Sequence, residues 1–427
     1  MKQLTDLIEQ KIASGEVKSA EFKALCDELC QMLVDSGTQA HFDMAESNKE
    51  MLVRILQVWT EGSRKDEPPI NPWNLCVMNV VPAEVVLKIA KLYQKKDQIA
   101  PLHPNKSNSK KLFLDNAARL NVVFMSFELL DHHPLLGLIH TFLKDICKRP
   151  DLHVLVIDTT PPELAKKSRA PDGLFSLLIE ALGSRYVNCF DSARWDTANI
   201  VQRIRQHKAG IVVTLGHFQF GSERQRSVVE EKPAPVIVQF LSHMGTTGND
   251  AVDHIVACPK SLTADMAGHF SETPLLFPEG YSFIPGCGIK ALHPDFRPPE
   301  DADAVQRVRD REGLPQGVLI GCFSDFDRMD SKYIASLCRV LKGITSGKAV
   351  VISRGKFADM RVKYQAGTHD CSERFHFAEF IDCDKPRFWS LMRALDLFYD
   401  PFNYNGHTLG VEIAWSAGIL LTLKGKT

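Results

Sequence analysis

The stretch NYNGHTLGVEIAWSAG, residues 403–418, holds a set of side chains and spacings suited to binding a phosphorylated ligand. It lies between two apolar runs, LDLFYD and ILLTL, and so reads as strand, tight loop, helix and strand. With a helix beginning near His407, the amides of Gly406, His407, Thr408 and Leu409 lack intrahelical partners and point out of the carboxyl edge of a sheet. Such a helix end attracts anions. Gly406 lets a phosphate approach the backbone, Thr408 adds a hydroxyl, and Glu412, one turn on, can accept hydrogen bonds from ribose hydroxyls. Tyr404 and Asn405 either touch the same ligand or shape the turn. On spacing alone an ordinary capped helix after a glycine turn is the commoner arrangement.

Two other clusters carry titratable groups. In LLDHHPLL, His132 and His133 can relay protons near neutral pH, whereas Asp131 can instead N-cap a helix starting near Pro134 and leave both imidazoles as solvated neighbours. In HDCSERFH, His369, Cys371 and His376 lack the partners and spacing of a structural zinc site, so no metal is expected. The 11 cysteines form no C-x-x-C pair, and the closest two, Cys26 and Cys30, sit at helical spacing. Reduced thiols fit a cytoplasmic or nuclear location.

The elements that must position these groups follow from the apolar pattern. A chain of 427 residues exceeds one ordinary core and predicts two domains plus an accessory segment. Its 51 basic and 52 acidic residues leave a net charge of -1, which gives no bulk attraction to nucleic acid or to an anionic membrane. The charged N-terminus does not read as a signal peptide, and no apolar run is long enough to span a bilayer. Residues 1–115 read as a helical N-terminal segment and linker, with helical spacing at Leu4, Leu7, Ile8 and Ile12 and a polar end at HPNKSNSKK.

From residue 116 to 300, LNVVFMS, LHVLVID, YVNCF, GIVVTL and VIVQF alternate with helical patterns, as in a parallel α/β domain. After the Pro- and Asp-rich stretch HPDFRPPEDADA the alternation resumes over 301–427 with GVLIGCF, KAVVIS, RFHF, LDLFYD and ILLTL. Two Rossmann-like domains are predicted, the second incomplete where the chain stops after a strand. Neither G-x-G-x-x-G nor G-x-x-x-x-G-K-[ST] follows any of these strands.

NGHTLGVEIAWSAG resembles the N-G-H-T-T-G-x-[DE]-x-x-W-x-G signature of the O-linked N-acetylglucosamine transferases of nuclear and cytoplasmic proteins. PWNLCVMNVVPAEVVLKIAKLY, LNVVFMSFELLDHHP, TLGHFQFGSERQRSVVEEKPAPVIVQFLSHMGTTGNDAVDHIVACP, HFSETPLLFPEGYSF and GLPQGVLIGCFSDFDRMD resemble further segments of that family in the same order. The resemblance covers roughly residues 65 to 427. It implies a GT-B fold, a UDP-N-acetylglucosamine donor, Ser or Thr hydroxyls of proteins as acceptors, and inverting chemistry with no metal or other cofactor. Another donor, GDP-fucose or UDP-glucose, and a catalytically degenerate scaffold are the rival expectations.

The same resemblance gives roles to individual residues. His407 and Thr408 would contact the donor diphosphate, with Gly406 and Asn405 in the same loop, and Glu412 would hold the ribose. Arg328 stands where the family has a lysine that neutralises the leaving diphosphate, and Asp325 where it has a glutamine. Lys385 and Phe388 fall near the groups that hold the uracil, although Phe388, Leu391 and Met392 also share the spacing of a core face. His132 or His133 matches a histidine beside the sugar and acceptor, and Gly137 replaces a second one. His217 and Thr246 would line the cleft, Thr246 within a loop of free amides, HMGTTG, and His243 replaces a tyrosine.

Overall fold

The computed structural model describes residues 119–423 apart from 132, 190–195, 217–222, 242–244, 260–261, 263, 279–292, 294, 325–327, 382–383 and 403, with seven residues before position 26. Apart from those seven, the predicted helical segment and linker lie outside the described residues, as do His132, His217, His243 and Asp325. From residue 119 onward the described residues fall into two compact units, one ending at residue 293 and one starting at residue 295.

The first unit runs β1 (Leu120–Ser126), α1 (Pro134–Ile146), β2 (Leu152–Asp158), α2 (Pro162–Ser168), α3 (Leu174–Leu182), β3 (Tyr186–Asn188), α4 (Thr197–Gln206) and β4 (Ile211–Leu215). It continues with α5 (Glu223–Glu230), β5 (Val236–Phe240), β6 (His254–Ala257), α6 (Ala264–Ala267) and β7 (Thr273–Leu276). All seven strands are parallel, in the order β3-β2-β1-β4-β5-β6-β7. Phe124 of β1 pairs with Val156 on one side and Val213 on the other.

Helices on both faces explain why β1 is apolar almost throughout. Val122 and Phe124 pack with Leu136, Ile139 and Leu143 of α1 and Leu178 of α3. Val123 and Met125 pack with Ile200 and Ile204 of α4 and Val228 of α5. Each such buried side chain removes roughly 1.5–3 kcal/mol of apolar exposure. Strands β6 and β7 do not stand out in the sequence, because HIVA and TPLL are too short and mixed to display a period.

The second unit runs α7 (Ala302–Arg311), β8 (Leu319–Cys322), α8 (Ser331–Lys342), β9 (Lys348–Ile352), α9 (Lys356–Gly367), β10 (Phe375–Ala378), α10 (Lys385–Arg393), β11 (Leu397–Tyr399), α11 (Thr408–Trp415) and β12 (Leu420–Leu421). Its five parallel strands lie in the order β10-β9-β8-β11-β12. Asp301, Asp330 and Asp384 start α7, α8 and α10 by accepting the amides of Ala304, Tyr333 and Arg387. Ile320, Cys322, Ala349 and Val351 pack with Tyr333, Ile334 and Leu337 of α8 and Val362 and Ala366 of α9.

In each sheet the order reverses once beside the first strand, between β1 and β4 and between β8 and β11. Crevices at the carboxyl ends of such strand pairs are where doubly wound sheets bind ligands. No helix among the described residues is long and apolar enough to cross a membrane.

Candidate functional site

In the second unit both connections that leave the reversal point carry candidate residues. Arg328 lies between β8 and α8, and the loop 400–407 joins β11 to α11. The hydroxyl of buried Tyr333 in α8 donates to the carbonyl of Tyr399 at 2.6 Å and ties the end of β11 in place. Asp400, buried at the next position, accepts from the hydroxyl of Thr422 at 2.7 Å and from the amide of Gly406. A Cβ on Gly406 would sit 3.2 Å from Oδ1 of Asp400 and 3.3 Å from Cβ of Leu409. Burial pushes the Asp400 carboxyl above its ordinary pKa, and the bonds from Thr422 and Gly406 and the charge of Arg328 work against that rise.

Helix α11 begins at Thr408, but the four free amides expected there become two. The Gly406 amide binds Asp400, and the Leu409 amide donates to the carbonyl of Gly406 at 2.6 Å. Those of His407 and Thr408 have no acceptor among the described residues. His407 holds φ 35° and ψ -102°, a left-handed backbone that costs a non-glycine residue about 1–3 kcal/mol. Its ring lies 4.8 Å from that of Tyr404. Burial, with Arg328 nearby, lowers the pKa of His407 to about 4, so the imidazole is neutral at pH 7.

Arg328 extends over the same loop. Its guanidinium carbon lies 4.2 Å from the centre of the Tyr404 ring, and Nη1 reaches the carbonyl oxygen of Asn405 at 3.4 Å. Its Nε and the Oδ1 of Asn405 are buried without a hydrogen-bond partner among the described residues. Orphaned buried groups are rare in folded proteins and call for a cause. A donor, an acceptor and two unpaired amides around one turn suit an anion that carries its own hydrogen-bonding groups.

Glu412, expected to accept from ribose hydroxyls, already has a partner within the protein. It is buried, and its Oε1 accepts from Nζ of Lys385 at 2.8 Å, so α10 and α11 are joined across 27 positions of sequence. The Lys385 ammonium lies 5.5 Å from the centre of the Phe388 ring. Phe388 stacks on buried Phe323 at 5.7 Å, with Leu391 and Met392 buried along the same helix.

The first unit brings a carboxyl and an imidazole to its own reversal point. Glu128 follows β1 by two residues and Gly216 follows β4 directly. Gly216 has φ 108°, and a Cβ there would meet the Phe127 ring at 3.0 Å and Oε2 of Glu128 at 3.1 Å. Among the described residues Oε2 of Glu128 has no hydrogen-bond partner, and burial raises the carboxyl pKa to about 7. Its Oε1 lies 3.8 Å from Nε2 of His133. His133 caps α1, its Nδ1 accepting from the Leu135 amide at 3.3 Å. A neutral ring whose Nδ1 accepts carries its proton on Nε2, on the side of Glu128.

Sequence reasoning missed Glu128. The one signal was an acid set among apolar residues in FELL, directly after a strand. Asp131, weighed as the cap of α1, instead accepts the amides of Ala170 and Phe175 at 2.6 and 2.7 Å and so anchors the start of α3. A Cβ at Gly137, where a second histidine was sought, would meet open space.

Thr246 also differs from expectation. It is buried, its hydroxyl donates to Oε2 of Glu272 at 2.7 Å and pairs with Ser271 at 3.0 Å. The amides of Thr247, Gly248 and Asn249 are taken up by Glu272, Thr246 and Thr247, so the loop offers no row of free donors there. Glu272 is a buried anchor for this loop, held also by the Thr247 hydroxyl. Among the described residues no group of three or more His, Cys, Asp or Glu side chains can hold a metal ion.

No family model matches the chain. Over 229 residues it is 24% identical to a probable UDP-N-acetylglucosamine–peptide N-acetylglucosaminyltransferase, SEC, of Arabidopsis thaliana, a match covering 52% of this chain and 22% of that protein. The chain therefore spans about a fifth of that curated relative's length. A mutant Thermobaculum terrenum O-GlcNAc transferase superposes with a TM-score of 0.59 at 14% identity, covering all of this chain and 82% of that one. Anabaena HepE, solved with UDP-glucose, reaches a TM-score of 0.45 at 15% identity over 72% of this chain and 81% of its own. The chain shows distant homology to O-GlcNAc transferases, and its two parallel sheets with flanking helices have the GT-B fold.

Proposed function

We propose that this protein transfers N-acetylglucosamine from UDP-N-acetylglucosamine to Ser or Thr hydroxyls of proteins. The observation that carries the proposal is the set of groups at the β8/β11 reversal that have no partner among the described residues: the amides of His407 and Thr408, Nε of Arg328 and Oδ1 of Asn405. Such a set favours a diphosphate and stabilises the charge that grows on it as it departs. Neutral His407 contributes a ring hydrogen bond rather than a charge. Glu412, fixed through Oε1 by Lys385, would offer its second oxygen to a ribose hydroxyl, and Phe388 with Lys385 would border the base.

The reaction is a direct displacement. The acceptor oxygen bonds to the anomeric carbon, the bond from that carbon to the UDP oxygen breaks, and configuration inverts. The acceptor proton passes to a general base; within the first unit Glu128 has a pKa of about 7 that suits this role at neutral pH, with His133 Nε2–H beside its carboxylate. His132, His217, Thr246 and Asp325 keep only the roles the family resemblance gives them, and Thr246 acts through the loop it holds. No metal enters this scheme, because Arg328 and the helix amides answer the leaving charge.

One observation favours a second reading. The Lys385–Glu412 pair closes part of the ribose position, as in a scaffold that no longer binds donor. Feeding purified protein UDP-N-acetylglucosamine, UDP-glucose and GDP-fucose separately, with Ser- and Thr-containing peptides, separates the readings. Transfer from the first donor alone is expected. Transfer from another sugar nucleotide corrects the donor, and no turnover with any of them supports the scaffold.

A further inference from the structure

Helix α9 has two unlike faces. Ala358, Val362 and Ala366 are buried, whereas Phe357, Met360 and Tyr364 are 81%, 65% and 61% exposed. At i, i+3 and i+7 these three form one strip along the helix. Lys356 and Lys363, seven positions apart, lie along one side of it, both exposed; Lys363 Nζ lies 5.3 Å from the centre of the Phe377 ring, and neither lysine meets a carboxylate among the described residues. The only acid of the helix, Asp359, is occupied by the hydroxyl of Ser353 at 2.6 Å. Just ahead of the helix the Arg354 guanidinium lies 4.3 Å over the ring of Phe380, which is itself exposed.

Large apolar side chains grouped in this way mark contact surfaces. Phenylalanine, tyrosine, methionine and arginine are the types enriched in protein interfaces. We propose that the outer strip of α9 docks an acidic amphipathic helix of the protein acceptor. Apolar residues of that helix would cover Phe357, Met360 and Tyr364, and its carboxylates would meet Lys356 and Lys363. The surface would thus recruit acceptors apart from the residues that hold the donor. The inference rests on the protein-acceptor reading above.

Charge complementarity selects this occupant over a lipid surface. In a helix lying on a membrane the cations occupy the face opposite the apolar one. Here that opposite face is packed into the core, and the cations share the exposed strip with the apolar groups. An acidic helix with anchors at i, i+3 and i+7 covers the apolar strip and meets its lysine side at once.

The probe is a fluorescent synthetic helix with Leu at i, i+3 and i+7 and Glu at the flanking positions, titrated by anisotropy. It is compared with a Lys-flanked twin and with phosphatidylserine vesicles. The Glu-flanked helix is expected to bind the wild type in a salt-sensitive way. Its affinity should fall at least about tenfold in the Phe357→Ser/Met360→Ser/Tyr364→Ser variant and in the Lys356→Glu/Lys363→Glu variant, and the latter should gain the Lys-flanked twin. No binding to wild type, equal binding by both variants, or binding of vesicles alone overturns the proposal. UDP titration of the same variants should match wild type. If wild type binds the helix but not UDP, the donor reading has failed and the docking surface stands.

Discussion

At the scale of single residues, two of the candidate site groups, Glu128 and His407, sit far from their ordinary ionisation for the same reason, burial, and with opposite signs. Glu128 is neutral up to about pH 7, while its unfolded value is near 4.5. Between those values the unfolded chain binds fewer protons, so the group's contribution to stability declines as pH rises through the window. Glu128→Gln should therefore raise the melting temperature at pH 8 relative to wild type, by up to roughly 3 kcal/mol of stability. In the proposed chemistry the same change should cut kcat by about 10²–10⁴-fold while leaving the KM for the donor near wild type, because the base acts on the acceptor proton. Wild-type turnover should rise with pH through about 7, and the variant should lose that limb. A variant that keeps full kcat would remove Glu128 from the mechanism.

His407 makes the opposite case. With its pKa lowered from 6.5 to about 4, the unfolded chain binds more protons between those values, and its contribution to stability is lost as pH falls through that window. Its backbone is also strained, so His407→Gly should keep the melting temperature at or above that of His407→Ala while both lose UDP affinity. Equal UDP affinity in wild type and His407→Gly would place the imidazole outside the site.

At the scale of elements, the turn between β11 and α11 is held from below by Asp400 and from the side by Arg328. Gly406→Ala sets a methyl group 3.2 Å from Asp400 and 3.3 Å from Leu409, which the loop can meet by moving a few tenths of an ångström. Titration calorimetry and thermal melts should show UDP affinity reduced about tenfold or more, with a melting temperature within a few degrees of wild type. Much of this turn is legible in the sequence, since the apolar runs bracket it, the glycine permits it and the helix begins where His407 and Thr408 suggest. What stays hidden there is tertiary. The Gly406 amide goes to Asp400 and the Glu412 carboxylate goes to Lys385, and neither local spacing nor propensity reports a partner 6 or 27 positions away. The capping of α1 is illegible for the same reason, because Asp131 finds its amides at Ala170 and Phe175, beyond β2 and α2.

At the scale of the molecule, what organises both candidate sites is the reversal of strand order in each sheet. Alternating apolar runs announce parallel α/β units in the sequence, but they carry no record of which strand lies beside which. Only the topology brings Arg328 to the loop after β11, and Glu128 to the glycine after β4, although 77 and 88 positions separate the members of each pair. In the proposed function a chain of nearly zero net charge binds an anion through the local groups of one turn of backbone. The central claim is that this turn binds a nucleotide diphosphate, and isothermal titration of UDP into wild type and Arg328→Ala tests it most directly. Saturable binding to wild type, weakened at least about tenfold in a folded Arg328→Ala, is the predicted result. No heat of binding with wild type, or equal affinity in both proteins, would contradict it.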